Sequence, residues 1–459
     1  DPYPVFSSLY PNLFLYTYYR ETLKGLPCDR VKQEWFNISI SGFGQNATCG
    51  TRGLFSCNPC ATPPSEQCTA GLNITPKYVD LGDLGDRWSM IGLLFGAIPE
   101  GETLPQPLVD AHNLLFPTVP IGTPITDCEA IDPQRKFGFF SVPIEYKKRG
   151  VRFDFEGQIL RDFGFEIQIG VADIITTATF VNRTPANVCS ISDTGTQNCT
   201  NACFDCNNPN LTSENINSIM CNYNDIADSI HLDIDNFHQT SVEDIRVGLY
   251  WRRAFLMNEG SDNFPEFLFI PWITVAGAGA ISNEHHRNRA FAVPFSNDNH
   301  NAVGFMAGMD FDFTETIDIG WEFGLTHFFK RSFCNVPVPT SPFQSGWFPF
   351  QTDVTIQPGN NWNFGASLFA YHFLHNLSFH FQWMLTIHKD DHYCLIKPDP
   401  AFMPEILEDR STWLVHVGNM GFNYDISPYI SLGFLWQAPL AQRNAYRSTT
   451  LLFSFNATY

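Results

Sequence analysis

In RSTTLLFSFNATY, residues 447–459, Leu451, Phe453, Phe455, Ala457 and Tyr459 fall on one face, with Ser448, Thr450, Ser454 and Asn456 on the other. A two-residue repeat of this kind describes a β-strand with one apolar and one polar side. In water, a terminal strand so rich in Phe would offer its open edge as a template to other chains. The pattern calls for a partner strand that removes the edge.

The same alternation runs through FGFFSVPIEYKKRGVRFDFEGQILRDFGFEIQIGVA, residues 137–172. Val151, Phe153, Phe155 and Ile159 face one way, and Arg152, Asp154, Glu156 and Gln158 the other. After a turn, Phe165, Ile167, Ile169 and Val171 alternate with Glu166 and Gln168. Alternation alone fits a soluble sandwich, with Phe turned inward, or a membrane barrel, with Phe turned to lipid.

Composition favours the barrel. Aromatic residues make up 15% of the 459-residue chain, 43 of them Phe, and charged residues only 16%, against about 25% in a typical soluble domain. Mean hydropathy is only −0.12. The longest apolar run is MIGLLFGAIP, residues 90–99, well short of the roughly 18 residues that mark a membrane-spanning helix. A formal charge of −20 argues against nucleic acid, whose phosphates require Lys and Arg. The opening DPYPVF has no export-signal features, so any signal is expected to have been removed.

Alternating segments recur at 33–43, 244–257, 301–313, 316–328, 361–373, 377–388, 411–425, 428–437 and 447–459. With 86–97, 267–281 and three strands in 137–180, fourteen strands are expected, or sixteen if 98–136 adds a hairpin. Most exceed the roughly 5–6 residues of soluble strands and reach the roughly 9–11 that a tilted membrane strand needs. Short connections at 314–316, 374–376 and 427–429 alternate with long ones at 181–243, 282–300, 331–360 and 389–410. That asymmetry is typical of outer-membrane barrels, with short periplasmic turns and long outer loops. Residues 98–136 fit the alternation poorly and read as a constriction segment or an extra hairpin.

The last thirteen residues resemble the C-terminal assembly signal of Gram-negative outer-membrane barrels, carried here by Leu451, Phe453, Phe455, Ala457 and Tyr459. The size and the cysteines also resemble the major outer-membrane proteins of chlamydia-like bacteria. That resemblance implies a porin in a disulfide-crosslinked envelope, and analogy with porins implies a homotrimer.

Of the thirteen Cys, Cys49, Cys57, Cys60 and Cys68 fall in one expected outer loop (44–85) and Cys189, Cys199, Cys203, Cys206 and Cys221 in another (181–243). Two Cys-x-x-Cys pairs have zinc-like spacing, but an oxidising compartment favours disulfides. The odd total leaves at least one thiol unpaired within the chain or bonded to another. Asn-x-Ser/Thr triplets, the acceptor pattern for glycosylation, occur at eight positions; Asn37 and Asn456 lie in expected strands, and in an Asn- and Thr-rich chain the triplets read as chance occurrences. His285-His286 and His388-Lys389-Asp390-Asp391-His392 come with no nucleophile elbow, phosphate loop or HExxH, and read as exposed loop residues. Trp321, Trp347, Trp362, Trp413 and Trp436 read as interfacial girdle residues.

The sequence thus predicts a single all-β, closed antiparallel transmembrane barrel of 14–16 strands in the outer membrane, with loops at the cell surface. The expected function is passive diffusion of small hydrophilic solutes, without enzyme chemistry, cofactor or metal. By alternation the lumen would be lined by Arg152, Asp154, Glu156, Glu166, Gln168, Arg246, Arg252, Asp310, Asp312, Asp318, Glu322, His380 and Gln382. A turn centred on Glu315 would set Asp312 opposite Asp318 and give a mild cation preference. Two alternatives stay open: a surface coat or adhesin anchored by the barrel, and a soluble secreted β-protein.

Overall fold

The computed structural model describes residues 36–51, 78–80, 88–117, 120–122, 139–142, 144–160, 162–182, 213–258, 267–283, 286–313, 317–341, 344, 347–409, 411–427, 429–443 and 445–458. Twelve antiparallel strands close into a barrel. They are β1 (Phe36–Thr51), β2 (Ile144–Leu160), β3 (Phe163–Ala178), β4 (in three pieces, Phe237–Val242, Ile245–Arg252 and Phe255–Met257), β5 (Phe267–Gly279), β6 (Ala302–Phe313), β7 (Ile317–Phe328), β8 (Asn361–Leu374), β9 (Leu377–His388), β10 (Trp413–Ser427), β11 (Ile430–Arg443) and β12 (Tyr446–Thr458).

Closure is made by the terminal strand. β12 pairs with β1 from Asn37↔Thr458 to Gly50↔Tyr446 and with β11 from Ile430↔Ala457 to Gln437↔Thr450. No edge is left for another chain to extend. Tyr459 lies outside the described residues.

The count is twelve, not fourteen to sixteen. The 137–180 block is used up by two barrel strands of 17 and 16 residues; Phe139–Ser141 instead joins Trp88–Ser89 and Val181–Asn182 in a separate small sheet. The described part of the expected strand 86–97, residues 88–97, does not cross the barrel: a 3-10 turn, Ile91–Leu94, follows Trp88–Ser89, and Met90, Leu93, Leu94 and Phe95 are buried. A short run buried on all sides has no period that separates it from a strand. In 98–136 the described residues hold α1 (Gln106–Leu115), not a hairpin. Its first turn carries Pro107, which costs no hydrogen bond there, and Leu108, Ala111, His112 and Leu115 are buried at helical spacing.

The exterior is apolar. Phe153, Phe155, Val171, Leu249, Phe305, Trp321, Phe381, Leu432, Trp436, Phe453 and Phe455 are all exposed. Together these rings far exceed the apolar patches that water-soluble proteins display, and a bilayer is the solvent for such a surface. Trp347 and Trp413 do not belong to a girdle. Trp347 lies in a buried cluster formed by the loops, and Trp413 is buried beside Met384, Val415 and Val417.

Long connections follow β1, β3, β5, β7 and β9, all at one end of the barrel; short turns follow β2, β6, β8 and β10 at the other. Residues 44–51, expected in a loop, complete β1, and 237–242 open β4. The loop end carries a three-stranded sheet of Arg331–Pro337, Gln351–Gln357 and His392–Leu395, with its own apolar core around Phe333, Val338, Phe350 and Val354. It also carries α2 (Ser213–Cys221), α3 (Tyr223–Ser229) and α4 (Glu405–Asp409).

Candidate functional site: the barrel lumen

Strand alternation turns every second residue inward, and along the described strands this gathers charged and amide side chains in the lumen, away from the apolar exterior. Arg152, Glu166, Gln168, Asp310, Asp318, His380 and Gln382 are buried on the inner face. Asp154, Glu156, Arg246, Arg252, Asp312 and Glu322 share that face and are partly exposed. Asp312 stands directly opposite Asp318 in the β6–β7 pairing.

The β2–β4 wall carries the inward cations named above, with their acidic partners. Glu243, at the break between the first two pieces of β4, accepts hydrogen bonds from Arg152 Nε and Nη2 at 2.6 and 2.9 Å, and its Oε1 lies 2.7 Å from Lys148 Nζ. All three side chains are buried, where an unpaired charge would be costly. The Arg152 guanidinium also lies 4.5 Å from the Phe43 ring centre, a favourable cation–π distance. Beside them Gln168 donates to Asp154 at 2.7 Å.

This break also anchors a loop. Lys148 Nζ donates to the Phe295 carbonyl at 2.9 Å. The Asp244 carboxylate accepts from the backbone N–H groups of Ile281, Ser282 and Asn297, and the Asp244 N–H donates to Ser296 Oγ. The β5–β6 connection is thus drawn from the rim onto the lumen wall. Asp244 takes up backbone donors that the interrupted ladder leaves open.

The opposite wall is neutral. Among described side chains, the inward positions of β8–β12 and β1 carry amides, hydroxyls, His and apolar groups, with Asp425 at the short-turn end the one carboxylate. Gln382 donates to Glu322 at 2.6 Å, Asn419 to Gln382 at 2.9 Å and Gln437 to Asn419 at 3.0 Å, a ladder from β7 to β11. Gly365 of β8 makes it possible: a Cβ there would meet the Glu322 carboxylate, which crosses over this glycine to reach β9.

The loop half of the lumen is filled. One apolar cluster joins the inward residues Phe43, Tyr146, Ala172, Ile174, Phe237, Leu435 and Leu452 to Leu93, Leu108 and Leu115, to Ile216 and Ile226 of α2 and α3, and to Phe291 and Trp347. Residues 88–117 therefore form part of an internal plug.

Some lumen residues are not singled out by the sequence reading. Lys148 shares the parity of Arg152, and Asn419 and Gln437 fall on the inward parity of their strands, so alternation was sufficient to find them. Glu243 carries no such signal, because the strand breaks at that residue. The expected exposure of the His388–His392 run holds for Lys389, Asp390 and His392 and is corrected at His388. His388 is buried, meets Asn361 Oδ1 at 2.6 Å and Asp391 at 2.9 Å, and stacks on Trp413. This ties β8, β9 and β10 together at the loop end. Among the described residues no group of His, Cys, Asp and Glu could hold a metal ion.

Of the disulfide candidates, Cys221 is exposed with a free thiol, as are Cys334 and Cys394. Cys49 lies at the loop end of β1. Cys57, Cys60, Cys68, Cys189, Cys199, Cys203 and Cys206 lie outside the described residues.

No family model matches the chain. No curated protein matches it. Solved structures similar to it include an outer membrane channel from Pseudomonas putida F1, at 7% identity and a TM-score of 0.45, covering 95% of this chain and 99% of that one. The transport unit of the autotransporter AIDA-I from Escherichia coli aligns at 8% identity and a TM-score of 0.34, covering 96% and 97%. The NanC porin aligns at 8% identity and a TM-score of 0.29, covering 68% of this chain and 93% of that one. Likeness at this level is of barrel to barrel and assigns no solute.

Proposed function

We propose that the chain is an outer-membrane channel through which small hydrophilic solutes diffuse, with a mild preference for cations. One observation carries the reading: strand after strand turns charged, amide or hydroxyl groups into a lumen that closure separates from an apolar exterior. A barrel that served only as an anchor would gain nothing from lining its interior with carboxylates, each of which is costly to desolvate. The inward residues named above would form the pore wall.

The cation preference follows from the count of inward charges. Asp154, Glu156, Glu166, Glu243, Asp310, Asp312, Asp318, Glu322 and Asp425 outnumber Lys148, Arg152, Arg246 and Arg252, nine to four among the described residues. Inward acidic groups favour cations in a pore. Gln382 and Asn419 are sealed from water, and an apolar cluster fills the loop half of the lumen. Conduction then requires the loop segments to move.

Liposome swelling tests the reading. Vesicles carrying the barrel should swell in sugars and amino acids at rates that fall with solute size, and rates equal to those of empty vesicles would remove the channel.

The apolar plug favours a second reading, a surface protein for which the barrel is an anchor. Deleting 88–117 separates the two: a channel gains permeability, whereas an anchor stays impermeable.

A further inference from the structure

Register across β2, β3 and β4 arranges the outer surface in rows. Val151, Val171 and Val242 form one row, all exposed, at the upper limit of the apolar belt. The next outward-facing row toward the loops is Arg149, Asp173 and Thr240, and above it stand Lys147, Ile175 and His238. Basic side chains thus begin where the lipid-facing valines end, at the level where a bilayer changes from acyl chain to headgroup.

The row is organised around Asp173. One of its oxygens meets His238 Nε2 and Thr240 Oγ1, both at 2.8 Å, and the other meets Arg149 Nε at 3.3 Å. Arg149 is engaged through Nε alone, and its side chain remains 75% exposed. Lys147, 55% exposed, contacts Glu145 at 2.7 Å on its own strand. On β1, Gly42 pairs with Val151 and Gly44 with Arg149, and no atom lies within 4 Å of where a Cβ at either glycine would stand. Beside Arg149 there is therefore an open trough, with Arg149 and Val151 on one side and Leu451 and Phe453 on the other.

We propose that this patch seats an anionic membrane lipid, its phosphate on Arg149 and Lys147 and an acyl chain in the Gly42–Gly44 trough. Arg149 offers two guanidinium nitrogens to phosphate oxygens, and the valine row continues as the surface that the chains cover. The charge order, cationic heads beside an apolar trough, is complementary to an amphiphile with an exposed phosphate. A soluble anion would use only half of this surface. The proposal rests on the membrane reading above.

Native mass spectrometry of the full chain in detergent, with phosphatidic acid or with phosphatidylcholine of the same acyl chains, tests it. The wild type should retain phosphatidic acid preferentially. Arg149→Gln with Lys147→Gln should weaken that retention about tenfold, the scale of a lost charge-assisted contact. Lys330→Gln with Lys397→Gln, which removes the same charge elsewhere on the exposed surface, should leave it unchanged. Equal retention of both lipids, or a patch variant that binds like the wild type, would overturn the proposal. Effective competition by inorganic phosphate, with no difference between the two lipids, would make the patch a free-anion site and overturn it as well. A barrel that fails to insert into vesicles would instead defeat the membrane reading, which the detergent measurement does not depend on.

Discussion

Arg152 and Glu243 are joined by two hydrogen bonds, 2.6 and 2.9 Å long, in the interior of the barrel. With Lys148 on the same carboxylate, Glu243 balances two buried cations, while the adjacent Asp244 holds the β5–β6 loop. The break in β4 therefore couples the stability of the wall to the position of a loop in the lumen.

Glu243→Gln removes the charge that both cations share. Breaking a buried ion pair on one side costs about 3–5 kcal/mol, so the urea midpoint of the barrel in detergent should fall sharply. Arg152→Met with Lys148→Met, which removes both cations, should cost less when combined with Glu243→Gln than the single change does. An unchanged midpoint for Glu243→Gln would show that the contact is not formed.

Phe381 faces outward in the middle of β9. If lipid covers it, Phe381→Arg should destabilise the folded barrel by about 2–4 kcal/mol. Refolding into lipid vesicles, monitored by heat-modifiable mobility, measures the cost. A neutral effect would place Phe381 away from the bilayer centre.

Acid should loosen the loop end. His300 and His112 are buried, and desolvation lowers the pKa of each below its ordinary value. In the unfolded chain each would take up a proton at about pH 6.5. The folded state thus binds fewer protons, so its stability is full above that value and declines as pH falls toward the folded pKa. Limited proteolysis of the loops should therefore be faster at pH 5 than at pH 7.5. His300→Gln with His112→Leu should flatten the difference, and equal rates in the wild type would contradict the burial argument.

Much of the barrel was legible because lipid and lumen impose a two-residue period. β9, β12 and the β6–β7 hairpin emerge within a residue or two of their expected bounds, and Asp312 faces Asp318 as the turn at Glu315 implied. The errors occur where that period stops. Met90–Phe95 is apolar because it packs inside the barrel, so its composition imitates a lipid-facing strand. β4 extends back to Phe237, beyond the expected start at 244, because Glu243 and Asp244 interrupt its alternation while their side chains take over the bonding. Tertiary contacts across distant segments, such as Lys148 to Phe295, leave no local trace in the sequence.

The Asp312–Asp318 pair bears on selectivity. Asp312→Asn with Asp318→Asn should move the reversal potential across a salt gradient toward zero. The wild-type cation preference should itself weaken at high salt, where screening shortens the reach of each charge. A reversal potential unaltered by the double substitution would remove this pair from the selectivity argument.

The most direct measurement is planar-bilayer recording of the full chain beside the variant lacking 88–117. A lumen that conducts solutes predicts stepwise, cation-favouring currents, larger or more frequent once the plug is removed. Silence from both proteins, with insertion into the bilayer demonstrated, would contradict the channel and leave the barrel an anchor.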